Sequence, residues 1–231
     1  MILTHRRHRS PLKTAAVAAF AGLALTAGTF GATFAQEASP SAATCNVEQA
    51  VADAPLAYTV DGTRSVASYT VIEELASVGE NEVVGTTSAI IGSILLDEDG
   101  TPLMCSNFAV DMRTLVTDEN RRDNYLRENT LESDTYPFAT FVVASVDGLD
   151  GPIEDGATVP ATLTGDFTLH GVTKTVSWNA EITRDGDTLT GTADYTFLIA
   201  DYEMEKPIIG PVVAIDDEVT LSVDIVATLA G

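Results

Sequence analysis

The chain has 231 residues, 34 Asp+Glu against 12 Lys+Arg, and a formal net charge of −22. With 45% of its residues apolar and only 20% charged it has the makings of a core, which excludes a wholly disordered chain. Its acidity excludes nucleic acid as a natural partner and disfavours electrostatic docking on anionic lipid, because phosphates are repelled.

The scarce positive charge is concentrated at the start. Arg6, Arg7, Arg9 and Lys13 precede the first acid, Glu37. An apolar run over 14–35, rich in Ala, Leu, Phe and Gly, ends in Ala32-Thr33-Phe34-Ala35. A basic start, an apolar middle and a small-residue exit predict a secretory signal peptide over 1–35. The rival reading is an uncleaved membrane anchor, since a run of this length just spans a bilayer. Cleavage before Gln36 leaves eight Lys+Arg against 34 acids, a net charge of −26, and His170 as the sole histidine. The expected location is then extracellular or periplasmic.

Residues 36–55 are rich in Ala, Ser and Pro and read as a linker, tied down late by Cys45. The other cysteine is Cys105. An even count in an exported chain predicts one disulfide, with two reduced thiols as the alternative. Closing so long a loop stabilises by roughly 4 kcal/mol in the chain-entropy view. No second Cys or His stands at ligand spacing beside either one, so a metal site is not expected.

From 56 to 231 the chain reads as one β domain. Shorter segments are predicted over 67–72, 83–96, 107–112 and 139–146. Longer ones follow, each with one apolar and one Thr-rich face. Val159, Ala161, Leu163, Phe167 and Leu169 alternate with threonines, Asp166 and His170, and Val172, Val176, Trp178, Ala180 and Ile182 alternate with Thr173, Thr175, Ser177, Asn179 and Glu181. Two more run through Leu189 to Ile199 and Val219 to Leu229. His170-Gly171 and Asp185-Gly186-Asp187 supply the turns between them. One stretch breaks the pattern: 118–127 is predicted as a short surface helix capped by Thr117 or Asp118. Long antiparallel strands with one apolar face bury it in a sandwich or a closed barrel. The strand number and length suit an all-β, lipocalin-like up-and-down barrel, whose interior holds one small ligand. Gly85, Gly92, Gly165 and Gly191 fall inside strands, where closing a sheet demands bends.

Little in the sequence supports catalysis. No nucleophile elbow and no phosphate-cradling glycine loop occur. His170 lies in a tight turn, where a structural role is the simpler reading. The acid clusters 97–100 and 147–151 lack calcium-loop spacing, so no metal or other cofactor is expected. The remaining cations are more telling. Arg113, Arg121, Arg122, Arg127 and Lys174 are five of the eight beyond residue 35, and a local cationic group can hold an anionic head such as a diphosphate. The alternative is pairing along the helix, Arg122 with Asp118 or Arg127 with Asp123.

The stretch Leu163-Thr164-Gly165-Asp166-Phe167-Thr168-Leu169-His170-Gly171-Val172-Thr173-Lys174 resembles the hairpin of the YceI-like, polyisoprenoid-binding family. Tyr58-Thr59-Val60-Asp61 with Ser65-Val66, Val84-Gly85-Thr86, Leu115-Val116-Thr117 with Arg122-Asp123 and Leu126, and Tyr136-Pro137 with Ala139-Thr140-Phe141 resemble its other segments in order. The resemblance covers about 56–230. It implies a lipocalin-like barrel with an apolar tunnel, an exported protein, an isoprenoid or similar amphiphile as bound lipid, and no catalysis. Two departures bear on the head group. Phe197 to Glu203 lacks the Arg and the Asp-Phe-Gly found in many members, and acids Glu73-Glu74 stand near a position often occupied by His.

The expectation is therefore a secreted carrier. Its tunnel would be lined by Val110, Phe141, Leu163, Phe167, Val176, Trp178, Tyr195, Phe197, Val223 and Ile225. The head-group candidates are Arg113, Arg122, Arg127, His170 and Lys174. The partner is a hydrophobic small molecule or lipid, with transient membrane contact. The alternatives are an interaction module with a filled core and, more remotely, a His170-dependent hydrolase.

Overall fold

The alternating segments fold into long antiparallel walls. The structure, a computed structural model, describes residues 45–149 and 151–230. The expected signal peptide and the first part of the linker lie outside the described residues. In chain order the strands are β1 (Leu56–Val60), β2 (Val66–Leu75), β3 (Gly79–Thr87), β4 (Ile90–Leu96), β5 (Asn107–Asp111), β6 (Phe138–Asp147), β7 (Thr158–Leu169), β8 (Val172–Asp185), β9 (Thr188–Leu198), β10 (Val212–Ile215) and β11 (Glu218–Leu229).

Eleven segments make an eight-walled closed barrel. Strands β1 and β2 lie end to end beside β11, with Tyr58 opposite Leu229 and Ala67 opposite Val223. Strands β4 and β3 follow one another along β1 and β2, and β10 continues the line of β11 onto the far end of β2. From β4 the neighbours run in sequence order through β9 to β11, and β1 closes the ring by pairing both β4 and β11.

Local chemistry sets the breaks. Asp61 ends β1 by accepting from the Thr63 N–H and hydroxyl and from Arg64 Nε, which turns the chain before β2. The predicted single segment 83–96 is two strands, because Thr87 Oγ1 accepts from the Ala89 N–H and interrupts the ladder. That interruption lets both Thr87 and Ile90 face inward. In β6 the register shifts between Val143 and Ser145. The extra residue, Ala144, lets Val143 and Val146 both face the interior, which strict alternation forbids. At Gly165 a Cβ would stand 2.2 Å from the Val142 carbonyl oxygen, so only glycine lets β6 and β7 approach there. His170 (φ 50°) and Gly171 (φ 75°) form the two-residue loop of a type I′ hairpin. On the outer face the predicted threonines bond across strands, among them Thr168 with Thr173 at 2.8 Å and Thr158 with Thr183 at 2.7 Å.

Two features correct the sequence reading. The stretch taken as linker contains a helix, α1 (Val47–Asp53), started by Asn46 accepting from the Gln49 N–H. Cys45 is bonded to Cys105, their Cα atoms 5.7 Å apart, which ties α1 to the segment entering β5. The described residues therefore hold two short α-helices, not one. The second, α2 (Asn120–Tyr125), is capped by Glu119 rather than Thr117 or Asp118. Asp123 instead accepts from the Thr117 N–H and hydroxyl, at 2.9 and 2.6 Å. After Tyr125 the helix widens into one π-type turn, Leu126–Thr130, closed by the Leu131 N–H on the Leu126 carbonyl.

Candidate ligand-binding site

The inner faces do not fill the barrel. Two adjoining cavities of about 150 and 120 Å³ lie along its axis, with almost wholly apolar walls. Val110, Ala139, Phe167, Trp178 and Val223 line both. The first cavity lies toward α2. Met112, Leu115, Leu126 and Leu131 reach it from the connection between β5 and β6, and Met204, Pro207 and Ile209 from the one between β9 and β10. The second lies toward the opposite end, among Ile94, Leu96, Pro102, Val143, Ile153 and Ile182.

Of the predicted tunnel residues, Val110, Phe141, Leu163, Phe167, Trp178, Phe197, Val223 and Ile225 line one cavity or both. Val176 and Tyr195 stand on the same inner register but pack into the wall beside it. Tyr195 stacks on Phe197 with centroids 5.9 Å apart, and its hydroxyl lies 3.3 Å from that of Tyr202. The Tyr195 ring thus packs among its neighbours and lines neither cavity.

Polar groups gather at the α2 end. Glu73 stands on the inner register of β2, 3% exposed, and lines the first cavity together with Arg122 and Tyr69. Arg122 donates from Nη2 to Glu73 Oε1 at 2.9 Å and from Nη1 to Asp118 Oδ1 at 2.6 Å. Asn81 donates to the same Glu73 oxygen at 3.0 Å. Burial pulls the Arg122 guanidinium down, but the Asp118 bond and the nearby Glu73 and Asp118 charges outweigh it and hold its pKa above the usual arginine value. Burial pushes the Tyr69 phenol well up, so it stays neutral. A Cβ on Gly85 would stand 2.2 Å from the Tyr69 ring, so this glycine makes room for it.

Among the five head-group candidates, Arg122 alone lines a cavity. Its predicted partner Asp118 is found, but Asp123 does not pair with Arg127. Arg127 instead bonds the Leu115 carbonyl at 2.9 Å and Asn124 at 2.8 Å. Arg113 folds back on Asp111 at 2.7 Å and lies over the Phe138 ring. Lys174 is held by Asp201 at 2.6 Å, over the Tyr202 ring. His170 bridges two segments: Nδ1 is 3.0 Å from the Tyr202 carbonyl and Nε2 is 2.9 Å from Glu132 Oε2. A carbonyl only accepts, so Nδ1 carries the proton. With both nitrogens engaged, His170 holds the hairpin to the segment after α2 and presents no free nitrogen to a nucleophile.

The sequence reading missed Glu73 as a cavity residue, although Ala67, Tyr69, Val71 and Glu73 alternate and place it on the inner register. Met204, Pro207 and Ile209 carried no periodic signal, because they come from a connection and not a strand.

Comparison with known proteins agrees with this architecture. Residues 58–227 match the YceI-like domain. Protein YceI of Escherichia coli is 32% identical over 111 residues, 48% of this chain and 54% of that protein. A UPF0312 protein of Photorhabdus laumondii is 31% identical over 110 residues, 47% of this chain and 53% of that one. The chain thus spans about half the length of the curated relatives it matches. Burkholderia cenocepacia BcnA superposes with a TM-score of 0.58 at 18% identity, covering 73% of this chain and 99% of that one. A polyisoprenoid binding domain from Saccharophagus degradans superposes with a TM-score of 0.57 at 18% identity, covering 76% and 99%. Taken with the closed barrel and its apolar axis, the match over 58–227 means that this chain belongs to the YceI-like domain family.

Proposed function

We propose that this protein is an exported carrier that holds a polyisoprenoid or similar amphiphile along the barrel axis. The observation that carries the reading is the pair of adjoining apolar cavities, joined at five shared residues and ending against Arg122 and Glu73. A flexible tail of isoprenoid width fits such a shape. Its burial supplies affinity at roughly 25 cal/mol per Å² of apolar surface, and the polar end orients the molecule. The presence of a polyisoprenoid binding domain among proteins of the same fold supports the tail chemistry. Export is supported by the Cys45–Cys105 disulfide, which persists in an oxidising compartment, and by the basic and apolar leader. No catalytic step and no cofactor enter this reading.

The head group in this reading is not a diphosphate. Arg122 is already balanced by Glu73 and Asp118, and Asp123 is buried close by. A further multiply charged anion would meet net negative charge there. An alcohol or amide that can donate to Glu73 suits the site better.

The test is solvent extraction of the purified protein followed by mass spectrometry, with uptake of a fluorescent polyprenyl alcohol as the companion measurement. A co-purifying long-chain lipid, together with saturable uptake, is expected. A protein that carries no lipid and takes up no polyprenyl probe is the filled-core module instead. The N-terminus of the mature protein is expected at Gln36.

A further inference from the structure

The two ends of the barrel are fastened unequally. At the end of the second cavity Pro102 pairs with Leu96, the Cys105 N–H bonds the Val143 carbonyl beside the disulfide, and buried Ile153 bonds the Gly100 carbonyl. At the end of the first cavity the connection between β9 and β10 is held more loosely. From Met204 to Gly210 its backbone bonds are local, the Ile208 N–H to the Lys206 carbonyl and the Val212 N–H to the Ile209 carbonyl, and none reaches beyond Val212 among the described residues. One side chain pins it: Lys206 Nζ donates to the Ile215 carbonyl at 2.7 Å and pairs with Asp217. Pro207 and Ile209 line the first cavity while Ile208 between them is exposed, so a single thickness of chain separates that cavity from solvent.

An apolar corner adjoins this strap. The Pro211 carbonyl accepts from the Ala76 N–H at 2.9 Å, and Val212 stands opposite Leu75. The register shift between Val212 and Ala214 turns Val213 outward, and Val78 closes the turn after β2 onto the Leu75 carbonyl. Val78, Ile208 and Val213 are 74, 49 and 54% exposed, and Ala76, Pro211 and Ala214 beside them are exposed too. Grouped exposure of this kind marks an interaction surface, unlike apolar side chains scattered singly. The charges around it are acids, among them Glu74, Glu80, Glu205 and Asp216. Within 74–80 and 203–217 the one cation is Lys206, which Asp217 already holds.

We infer that the 204–210 strap is the door of the first cavity, and that the corner beside it docks on an electrically neutral lipid bilayer, so that the ligand passes between membrane and barrel without crossing water. The inference rests on the carrier reading and adds its route. Every methylene of a long tail resists exposure to water, so release into solvent is slow and direct contact with a bilayer removes that barrier. Charge and position choose the occupant. The ring of acids repels anionic head groups, whereas neutral ones leave the three apolar side chains free to enter the interface. The strap then lies between two apolar media, the hydrocarbon outside and the cavity within.

The test loads the purified protein with a fluorescent polyprenyl alcohol and follows its transfer to phosphatidylcholine vesicles that carry a quencher. The rate is expected to rise in proportion to vesicle concentration. Replacing part of the lipid with phosphatidylglycerol should slow transfer at low salt, and added salt should restore it. In Val78→Glu/Val213→Glu the rate is expected to fall about tenfold, the loss of roughly one valine's burial. Its affinity for the probe should be unchanged, because neither residue lines a cavity. Lys206→Met, which unpins the strap, is expected to speed transfer severalfold, and transfer at the native rate in this variant overturns the door. A rate that ignores vesicle concentration, or that the double variant leaves as fast, overturns the docking surface while the carrier reading stands. If the native protein takes up no probe, the carrier reading fails and the inference falls with it.

Discussion

Arg122 and Glu73 show how much one residue's setting decides. Their bond is largely sealed from water, the side chains being 16% and 3% exposed. Breaking such a pair from one side strands a charge. Arg122→Ala is therefore expected to lower unfolding stability by about 3 kcal/mol, whereas replacing both partners with apolar side chains recovers most of the loss. Denaturant melts of the single and double variants check this. The exposed pairs behave differently. The Lys174 hydrogen bond, then the Leu198 N–H, hold the Asp201 carboxyl below its usual 3.8, and the Arg113 hydrogen bond does the same for Asp111. A depressed folded-state pKa contributes stability above the unfolded value, and that contribution is lost as pH falls through the folded one. Asp201→Asn should flatten the fall of melting temperature below pH 3.8, by less at high salt because the pair faces water. The cations themselves were visible in the sequence, but their directions were not. Arg113 satisfies itself at Asp111, Arg127 at Asn124 and the Leu115 carbonyl, and Lys174 and His170 find partners across the fold, at Asp201, Tyr202 and Glu132.

At the scale of elements, strand periodicity placed the long strands β7, β9 and β11 within a residue at each end, because each keeps strict alternation over ten or more positions, and β8 likewise except that it runs three residues further, to Asp185. The interruptions were harder to see. Thr87 ending β3 through its side-chain hydroxyl and Ala144 bulging in β6 are single local events with no periodic trace. The same holds for α1, a seven-residue helix that gains its place from the Cys45–Cys105 bond as much as from its cap. Removing that bond in Cys105→Ser is expected to lower stability by roughly 4 kcal/mol, the entropy returned to a loop of 60 residues. The loss should appear as a lower denaturant midpoint with no change of the melted fraction's spectrum. Gly165→Ala tests the close approach of β6 and β7. With a Cβ 2.2 Å from the Val142 carbonyl oxygen, it is expected to cost about 1–3 kcal/mol, measurable in the same melts.

For the whole molecule, charge and topology act separately. A chain at −22 repels itself in the compact state. Raising salt from low to physiological ionic strength is therefore expected to raise the melting temperature by a few degrees, equivalent to about 1 kcal/mol for a domain of this size. A fall with salt would mean that the exposed ion pairs outweigh the repulsion. The sequence by itself determined the all-β class, the paired cysteines and the inward set of apolar side chains, because alternation is a local property that each strand records alone. Tertiary structure alone decided that the inner faces leave two joined cavities and that Arg122 lines one of them with Glu73. Those facts depend on how eight walls close around a common axis, and no single strand carries that geometry.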